Sequence, residues 1–507
     1  MEPISAHSIL NAVSTGDRKR LVERRRGLSA AALAVANREV RSAYSPIVIA
    51  GVMRLIDFGL ISLSGVALSL YWTAAVGDSW RCLFLTFGIA AAAVVIFQFL
   101  EIYHVLQFRI LRLSRMTLGL FIAVLLAMGG SHFIGLHDAT LQSWFAAFFC
   151  TGIVALISER LVLRAVLRKW GKEGRLDRRT IIVGADENGE RLITALRAQE
   201  GSNVDILGVF DDRGDGRAQE ICAGVSKLGK VDDILEFAYR TRVDLILFAL
   251  PVSAEKRILQ MLRKLWVLPV DIHLSAHASE LRFRPRYYSN LAQTPTLPMF
   301  EKPITDWDMV MKWAFDRVVG MILLVIAAPL MAVVALAIKL DSKGPIFFRQ
   351  QRFGFNNEKI GVLKFRSLYH DCADPRASKV VTKNDPRVTR VGRFIRKTSL
   401  DELPQLLNVV FRGNLSLVGP RPHAVQGKLQ NRLFDETVDG YFARHRVKPG
   451  ITGWAQINGW RGEIDNETKI QKRVEFDLYY IENWSMLFDL YILWRTPLAL
   501  LKTENAY

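Results

Sequence analysis

Four long apolar segments near the start of the chain constrain its fold more than any other feature. They cover roughly residues 47–72, 80–102, 115–136 and 141–163. Each is close to the about 20 residues that an α-helix needs to cross a bilayer. Because lipid offers backbone groups no hydrogen-bond partners, such segments fold as helices. We therefore predict four transmembrane helices over residues 47–165.

The basic residues around these segments predict their orientation. Residues 1–46 are rich in arginine, and residues 109–115 and 160–179 are also basic, whereas the two other loops carry almost no positive charge. Since basic loops remain in the cytoplasm, both ends of the bundle are expected there. Residues 1–46 are accordingly predicted to be a cytoplasmic basic tail that is partly disordered or lies on the membrane surface. The bundle is expected to lie in a membrane, with both of its ends on the cytoplasmic side.

The overall composition favours lipid and anionic substrates as partners. The chain has 507 residues, of which 50% are hydrophobic, and a formal net charge of +18. Basic charge combined with apolar segments indicates a bilayer and phosphorylated substrates. The sequence has no zinc-finger or RNA-binding signature, so nucleic acid is not expected. The four cysteines have neither metal-ligand spacing nor a disulfide pattern.

Residues 179–290 have the pattern of a Rossmann-like α/β domain. Short apolar strands alternate with amphipathic helices, which predicts a doubly wound sheet. The strands are predicted at Thr180–Val183, Asp205–Phe210, Asp244–Leu250 and Val270–Leu274. Gly184 and Gly189 lack the middle glycine of a dinucleotide fingerprint, so both a nucleotide-binding and a purely structural or regulatory role remain open. Residues 291–306 contain three prolines and are predicted to be a linker.

A fifth apolar segment covers residues 307–342 and has basic residues on both sides. Pro329, near its middle, would remove a helix hydrogen bond and permit a bend. We favour a re-entrant helix that enters one leaflet and returns, with Pro329 as the break. The alternative is a kinked transmembrane helix, which would place residues 343–507 outside the cell.

The adjacent carboxylates Asp401 and Glu402 are the strongest candidates for chemistry. Cations precede them, and the rigid cationic turn Gly419–Pro422 follows. A carboxylate pair among fixed cations suits phosphoryl transfer. A second interpretation is a helix capping box formed by Ser399 and Glu402. Pro404 means that a helix here either kinks or begins after the two acids.

Residues from about 307 to 507 resemble the bacterial sugar transferases, the monotopic phosphoglycosyl transferases. The resemblance rests on the segment around Pro329 and on spaced motifs. These motifs are Lys364–Ser367, Thr398–Gln405, Ser416–Pro422, Lys448–Trp454 and Glu504–Tyr507. The four-helix bundle and the α/β domain resemble those of the large polyprenyl-phosphate hexose-1-phosphate transferases, so the resemblance covers nearly the whole chain. It implies a mostly α catalytic domain over residues 343–507.

The resemblance implies a reaction and a cofactor. A UDP-sugar and undecaprenyl phosphate would give undecaprenyl-diphosphate-sugar and UMP, with Mg²⁺, as the first membrane step of exopolysaccharide or capsule synthesis. Asp401 would be the nucleophile that forms a phospho-aspartyl sugar intermediate, and Glu402 would hold or position the metal together with Asp401. The residues expected to bind substrate phosphates are Lys364, Arg366, Arg387, Arg396 and Arg421.

Two other functions compete with this one. A membrane-bound nucleotide-sugar epimerase or dehydratase would need a full glycine fingerprint and a Tyr-x-x-x-Lys pair, which the α/β region lacks. A non-catalytic scaffold for polysaccharide assembly would tolerate loss of Asp401. The resemblance favours glucose as the sugar, with galactose and N-acetylated sugars as alternatives, and it implies a bacterial cytoplasmic membrane as the location. A homodimer is also compatible with the sequence.

Overall fold

In the computed structural model, the chain forms two compact units. One unit is Glu39–Arg178 with Gln199–Val204, and the other is Met1–Arg38, Arg179–Ala198 and Asp205–Tyr507. The structure describes residues 27–38, 43–76, 79–103, 111–135, 139–198, 203–213, 221–275, 289–291, 294–372, 385–423, 428–429, 432–433, 438, 440–462 and 466–501.

The described chain begins with the short helix α1 (Ala30–Ala36). Ala32 of this helix and Leu28, which precedes the helix, lie in the hydrophobic core of the α/β domain. Ser29 caps the helix by accepting a hydrogen bond from the Ala32 amide at 3.1 Å and donates to the Leu228 carbonyl at 2.6 Å. The prediction of a tail over residues 1–46 is therefore wrong for this segment, because its small apolar face is buried.

Four long helices follow and form the predicted bundle. They are α2 (Pro46–Val76), α3 (Ser79–Phe99), α4 (Leu111–Phe133) and α5 (Ala139–Lys172). All four are long and apolar enough to cross a membrane. Asp57 on α2 and Arg160 on α5 form an ion pair of 2.7 Å, which ties these two helices together.

The α/β domain is built on an eight-stranded sheet. Its strands are β1 (Arg178–Val183), β2 (Val204–Phe210), β3 (Ile221–Cys222), β4 (Val225–Gly229), β5 (Leu245–Phe248), β6 (Asp271–Ser275), β7 (Ser289–Leu291) and β8 (Thr294–Phe300). The strand order is β3-β4-β2-β1-β5-β6-β8-β7. The pairs β4–β2, β1–β5 and β5–β6 are parallel, and β3, β7 and β8 add antiparallel pairs. The domain's described helices are α6 (Glu187–Arg197), α7 (Asp233–Arg240) and α8 (Glu255–Leu265). The predicted α/β domain is confirmed.

Strand β8 lies where the sequence predicted a linker. Pro298 pairs with His273 on β6, and the register shifts between Ile272 and His273. Irregular positions of this kind are where a strand tolerates proline, since no ladder hydrogen bond from its nitrogen is needed. The prediction of a linker over residues 291–306 is therefore wrong for Thr294–Phe300.

The fifth apolar segment forms helix α9 (Asp306–Asp341), which has 36 residues. The α-helix is unbroken across Pro329. Met331, Val334 and Ile338 are buried against the C-terminal region. Many of the helix's other apolar side chains are exposed. The re-entrant path stays a prediction.

The C-terminal region contains more strand than the predicted mostly α domain. Its strands are β9 (Phe347–Phe353), β10 (Lys359–Phe365), β11 (Ser416–Val418), β12 (Lys428–Leu429), β13 (Arg432–Leu433) and β14 (Gly450–Thr452). Its longer helices are α10 (Arg390–Lys397), α11 (Glu467–Glu482) and α12 (Met486–Leu501). Strands β9 and β10 form an antiparallel hairpin, and β11 pairs with β14 in parallel. The β11–β14 pair brings together two of the sequence motifs, Ser416–Pro422 and Lys448–Trp454.

Candidate active site

Glu402 lies between two cations contributed by distant parts of the chain. Its Oε1 accepts hydrogen bonds from Lys364 Nζ at 2.9 Å and from Arg421 Nη2 at 2.6 Å. Lys364 is on β10, and Arg421 follows β11. The Glu402 side chain is 15% exposed, so both ion pairs are largely shielded from water. The structure thus brings three of the predicted site residues together.

The backbone of the acidic pair is unusual. Asp401 and Glu402 lie in a 3₁₀ turn, Leu400–Glu402, which precedes a helical turn at Gln405–Leu407. Ser399 begins the 3₁₀ turn with a left-handed backbone (φ 59°), and its side chain caps no backbone amide. The capping-box interpretation is therefore wrong, because Arg461 binds the Ser399 hydroxyl and Lys364 and Arg421 bind the Glu402 carboxylate.

The two neighbouring acids differ in their affinity for protons. Burial raises the pKa of Asp401, and Glu402 raises it further, against the opposing effect of Lys364. Burial also acts to raise the pKa of Glu402, but Arg421 and Lys364 outweigh it and hold that pKa well below its usual value. Glu402 is therefore the stably ionised member of the pair, and Asp401 is the more basic carboxylate.

The turn that carries Arg421 is held closely by its surroundings. A Cβ added to Gly419 would lie 2.6 Å from the Lys448 carbonyl oxygen, so this position requires glycine. Arg444 Nη2 donates to the Arg421 carbonyl at 2.7 Å, and Arg352 Nη1 donates to the Pro422 carbonyl at 3.0 Å. The backbone of Arg421 is thus fixed independently of its side chain.

The other three predicted phosphate-binding arginines lie in different surroundings. Arg396, at the end of α10, acts on the pKa of Asp401 and therefore lies near it. Arg366 donates to the carbonyl oxygens of Ser342 and Lys343, which follow α9. Arg387 forms a bidentate salt bridge with Asp385, with hydrogen bonds of 3.0 and 2.6 Å. Within the described residues, no hydrogen bond links Arg366 or Arg387 to the acidic pair.

Two arginines near the pair were not identified as site residues from the sequence. Burial lowers the pKa of Arg352 to about 10, and the nearby Arg421 lowers it too. Arg461 is likewise affected by burial, by Arg421 and by both acids, and its pKa is lowered. Both arginines occur in segments rich in arginine and aromatic residues, and their positions depend on tertiary packing.

Two family models match the chain. The one described as bacterial sugar transferase matches residues 307–503, and the one described as CoA-binding domain matches residues 98–276. The first contains the acidic pair and all the cations described above. The second contains most of the α/β sheet.

Three curated proteins illustrate the similarity. The UDP-glucose:undecaprenyl-phosphate glucose-1-phosphate transferase of Escherichia coli (strain K12) is 34% identical over 76% of this chain and 81% of its own length. The protein of the same name from Xanthomonas campestris pv. campestris is 30% identical over 90% of this chain and 94% of its own. The undecaprenyl-phosphate glucose phosphotransferase of Komagataeibacter xylinus is 38% identical over 70% of this chain and 65% of its own. With this similarity over most of its length, and with a carboxylate pair set among cations, the chain belongs to the bacterial sugar transferase family.

Proposed function

We propose that the protein transfers glucose 1-phosphate from UDP-glucose to undecaprenyl phosphate and releases UMP. The observation that carries the proposal is the Asp401–Glu402 pair, in which Glu402 is bound by Lys364 and Arg421. The names of the three relatives support glucose as the sugar and undecaprenyl phosphate as the acceptor. The product would be the lipid-linked sugar on which exopolysaccharide synthesis begins.

The proposed mechanism has two displacements at phosphorus. An oxygen of the Asp401 carboxylate attacks the phosphorus that carries glucose, and the bond from that phosphorus to the UMP oxygen breaks. The electron pair leaves with UMP, and a phospho-aspartyl sugar remains. The phosphate oxygen of the lipid then attacks the same phosphorus and frees the Asp401 carboxylate. Two anionic substrates from different phases can thereby use one site in turn.

The cations supply electrostatic stabilisation in this mechanism. Negative charge develops on phosphate oxygens during each displacement, and preorganised donors stabilise it. Arg421 donates one hydrogen bond to Glu402, and Arg444 fixes the backbone of Arg421. Lys364 and Arg396 add positive charge from β10 and α10. Glu402 holds two of these cations in place, so its role is electrostatic as well as structural.

At this site, Mg²⁺ would be bound by protein carboxylates and by the phosphates of the substrate together. The described residues contain no group of three or more histidines, cysteines or acids that could hold an ion by themselves. Mg²⁺ commonly uses one or two carboxylates and completes its shell with substrate phosphates and water. Asp401 and Glu402 would supply those carboxylates. A bound ion would neutralise charge on the diphosphate of the donor.

The packing of α9 supports the re-entrant arrangement. Near its start, Asp316 accepts hydrogen bonds from Ser416 Oγ and from the Leu417 amide, both at 3.0 Å. At its other end, Asp341 accepts from the Val391 amide at 3.1 Å. Because both ends of one helix contact the same C-terminal region, a path that left them on opposite sides of a bilayer would have to pull the region apart.

The exposed side of this region supports contact with lipid. Apolar side chains on α9 and α12 are exposed at helical spacing. They include Val318, Ile322, Val325, Val333, Leu336, Leu340, Leu487, Leu490, Trp494 and Leu498. Exposed apolar stripes of this size mark membrane or protein interfaces. We infer that this side lies in the cytoplasmic leaflet of a bacterial inner membrane, which would bring the active site close to the lipid phosphate.

A UMP-release assay tests the reaction and the sugar together. Purified protein would be incubated with undecaprenyl phosphate, Mg²⁺ and, in turn, UDP-glucose, UDP-galactose and UDP-N-acetylglucosamine. We expect UMP release to be fastest with UDP-glucose and to depend on the lipid for repeated turnover. Faster release with another donor would contradict the assignment of glucose, and no release with any donor would contradict the proposed reaction.

A further inference from the structure

Helix α11 carries a buried arginine whose hydrogen bonds hold the backbone on both sides of Arg461. Arg473 Nε donates to the Trp460 carbonyl at 2.6 Å, and its Nη2 donates to the Gly462 carbonyl at 2.5 Å. Arg473 is only 6% exposed. Since burying a guanidinium is costly, it needs well-placed acceptors. Here those acceptors are the two carbonyls that flank Arg461.

The same helix holds Arg421 in a related way. Asp477, one turn after Arg473, accepts a hydrogen bond from Arg444 at 2.5 Å. Arg444 in turn donates to the Arg421 carbonyl at 2.7 Å. Asp477, Arg444 and Arg473 are all buried. One buried face of α11 therefore sets the backbone of two arginines, Arg421 and Arg461.

The side chain of Arg461 lies at the acidic pair. Its Nη2 donates to Ser399 Oγ at 2.5 Å, two residues before Asp401. Arg421, Glu402 and Asp401 all act on its pKa, which burial lowers. Ser399 has the left-handed backbone that starts the acidic turn, so this hydrogen bond also secures a conformation that serine rarely adopts.

Among the described residues, Ser399 is the one partner to which the Arg461 side chain donates a hydrogen bond. Nε and Nη1 have no hydrogen-bond partner among those residues. A guanidinium presents a planar fork that matches phosphate oxygens. The cations already in the site balance the charge of the two carboxylates without Arg461. An additional arginine held this firmly suits an anion that enters from solution or membrane.

We propose that Arg461 is a second arginine that binds a substrate phosphate, and that Arg473 is its positioning residue. The inference rests on the proposed function, which supplies phosphates from two sources, the nucleotide diphosphate and the lipid phosphate. Arg421 and Arg461, which lie in different segments of the chain, would both bind phosphate oxygens. Arg473 acts only through the backbone of Arg461.

Steady-state kinetics with both substrates varied test the role of Arg461. Arg461→Gln is expected to lower kcat/KM by about 10- to 100-fold, the usual effect of losing a charge-assisted hydrogen bond. Arg461→Lys should recover part of the loss. A raised KM for UDP-glucose would assign the donor diphosphate, and a raised KM for undecaprenyl phosphate would assign the lipid phosphate. Arg393→Gln, an exposed arginine on α10, is the matched control and should behave as wild type.

A double-mutant cycle tests the role of Arg473. If Arg473 acts through Arg461, Arg473→Lys should lower kcat/KM, and the double variant should be no worse than Arg461→Gln alone. Thermal unfolding of each variant shows whether it is folded. If the losses in kcat/KM of the two single variants multiply in the double variant, Arg473 has only a structural role, and its assignment as a positioning residue is overturned. If the wild-type protein releases UMP and Arg461→Gln has the same kinetics, the role of Arg461 is overturned. If the wild-type protein releases no UMP, the proposed function itself is contradicted.

Discussion

At the residue scale, the pKa values of two adjacent acids, Asp401 and Glu402, are shifted in opposite directions. Glu402 stays ionised because Arg421 and Lys364 outweigh its burial. Asp401 holds its proton more tightly, because its burial and the charge of Glu402 outweigh the nearby cations. A more basic carboxylate is the better nucleophile once ionised. These pKa directions support the proposal that Asp401 is the attacking group and that Glu402 holds the cations.

The raised pKa of Asp401 predicts a pH dependence. The nucleophile must be ionised, so formation of the covalent intermediate should slow as pH falls through a pKa above the ordinary aspartate value of 3.8. Glu402 has a lowered pKa and should remain ionised through that range. Single-turnover rates between pH 4 and pH 8, with circular dichroism at each pH as a folding control, measure this. A rate that stays constant from pH 8 down to pH 4 would contradict this prediction.

Individual site residues were predictable to different degrees. The acidic pair, Lys364 and Arg421 were identifiable because they occur in compact motifs. The role of Arg366 was not, since its guanidinium binds the carbonyls at the end of α9, a contact that depends on tertiary packing. The left-handed backbone of Ser399 was also hidden, because serine has no strong preference for it.

At the element scale, α9 is joined to the rest of the C-terminal region by a buried polar network. Lys312 Nζ donates to Asp489 on α12 at 2.5 Å and to the Val418 carbonyl at 3.0 Å. The Tyr480 hydroxyl donates to the same carboxylate at 2.8 Å. Val418 directly precedes the turn that carries Arg421. The network therefore connects two apolar helices to the turn that carries Arg421.

This network predicts that Lys312→Met is strongly destabilising. The Asp489 side chain is fully buried, so removal of the ammonium leaves a buried carboxylate without its cation. The expected loss is about 3–5 kcal/mol. Denaturant unfolding of purified protein in detergent measures it. Lys339→Met, on the exposed side of the same helix, is the matched control and should cost little. Equal stability of the two variants would contradict a role for the network.

Two elements show where sequence patterns were insufficient. Strand β8 contains two prolines, Pro295 and Pro298, which usually disfavour regular strands, yet it lies inside the sheet between β6 and β7. Helix α1 has only seven residues, too few to show a helical period beside an arginine-rich stretch. Both are stabilised by contacts with distant parts of the sheet, which local sequence does not encode.

At the scale of the whole molecule, the long apolar helices and the central sheet were predictable because their patterns are strong. The path of α9 relative to a membrane was less predictable from the sequence. Its flanking charges favour a return to the same side, and its contacts at both ends with one region agree with that path. The α/β domain also contacts the C-terminal region, since Trp266 lies in the core of that region and Asn356 donates to the Ala238 carbonyl at 2.8 Å.

Cysteine labelling tests the side of the membrane on which α9 ends. Lys343→Cys, in an otherwise cysteine-free protein, lies just after the helix at an exposed position. With a membrane-impermeant thiol reagent, we expect labelling only after cells are permeabilised. Ile134→Cys, at the exposed position just after α4, is the control that should be labelled in intact cells. Labelling of Lys343→Cys in intact cells would contradict the re-entrant path.

We predict that Asp401 becomes covalently bound to the sugar phosphate. Intact-mass and peptide mass spectrometry after brief incubation with UDP-glucose and Mg²⁺, without lipid, tests it most directly. Wild-type protein should gain one glucose phosphate on Asp401 and lose it when undecaprenyl phosphate is added. Asp401→Asn should gain none, whereas Asp371→Asn, an exposed aspartate, should behave as wild type. An unmodified wild-type protein that nevertheless turns over with lipid present would contradict the claim and indicate direct transfer between the two substrates.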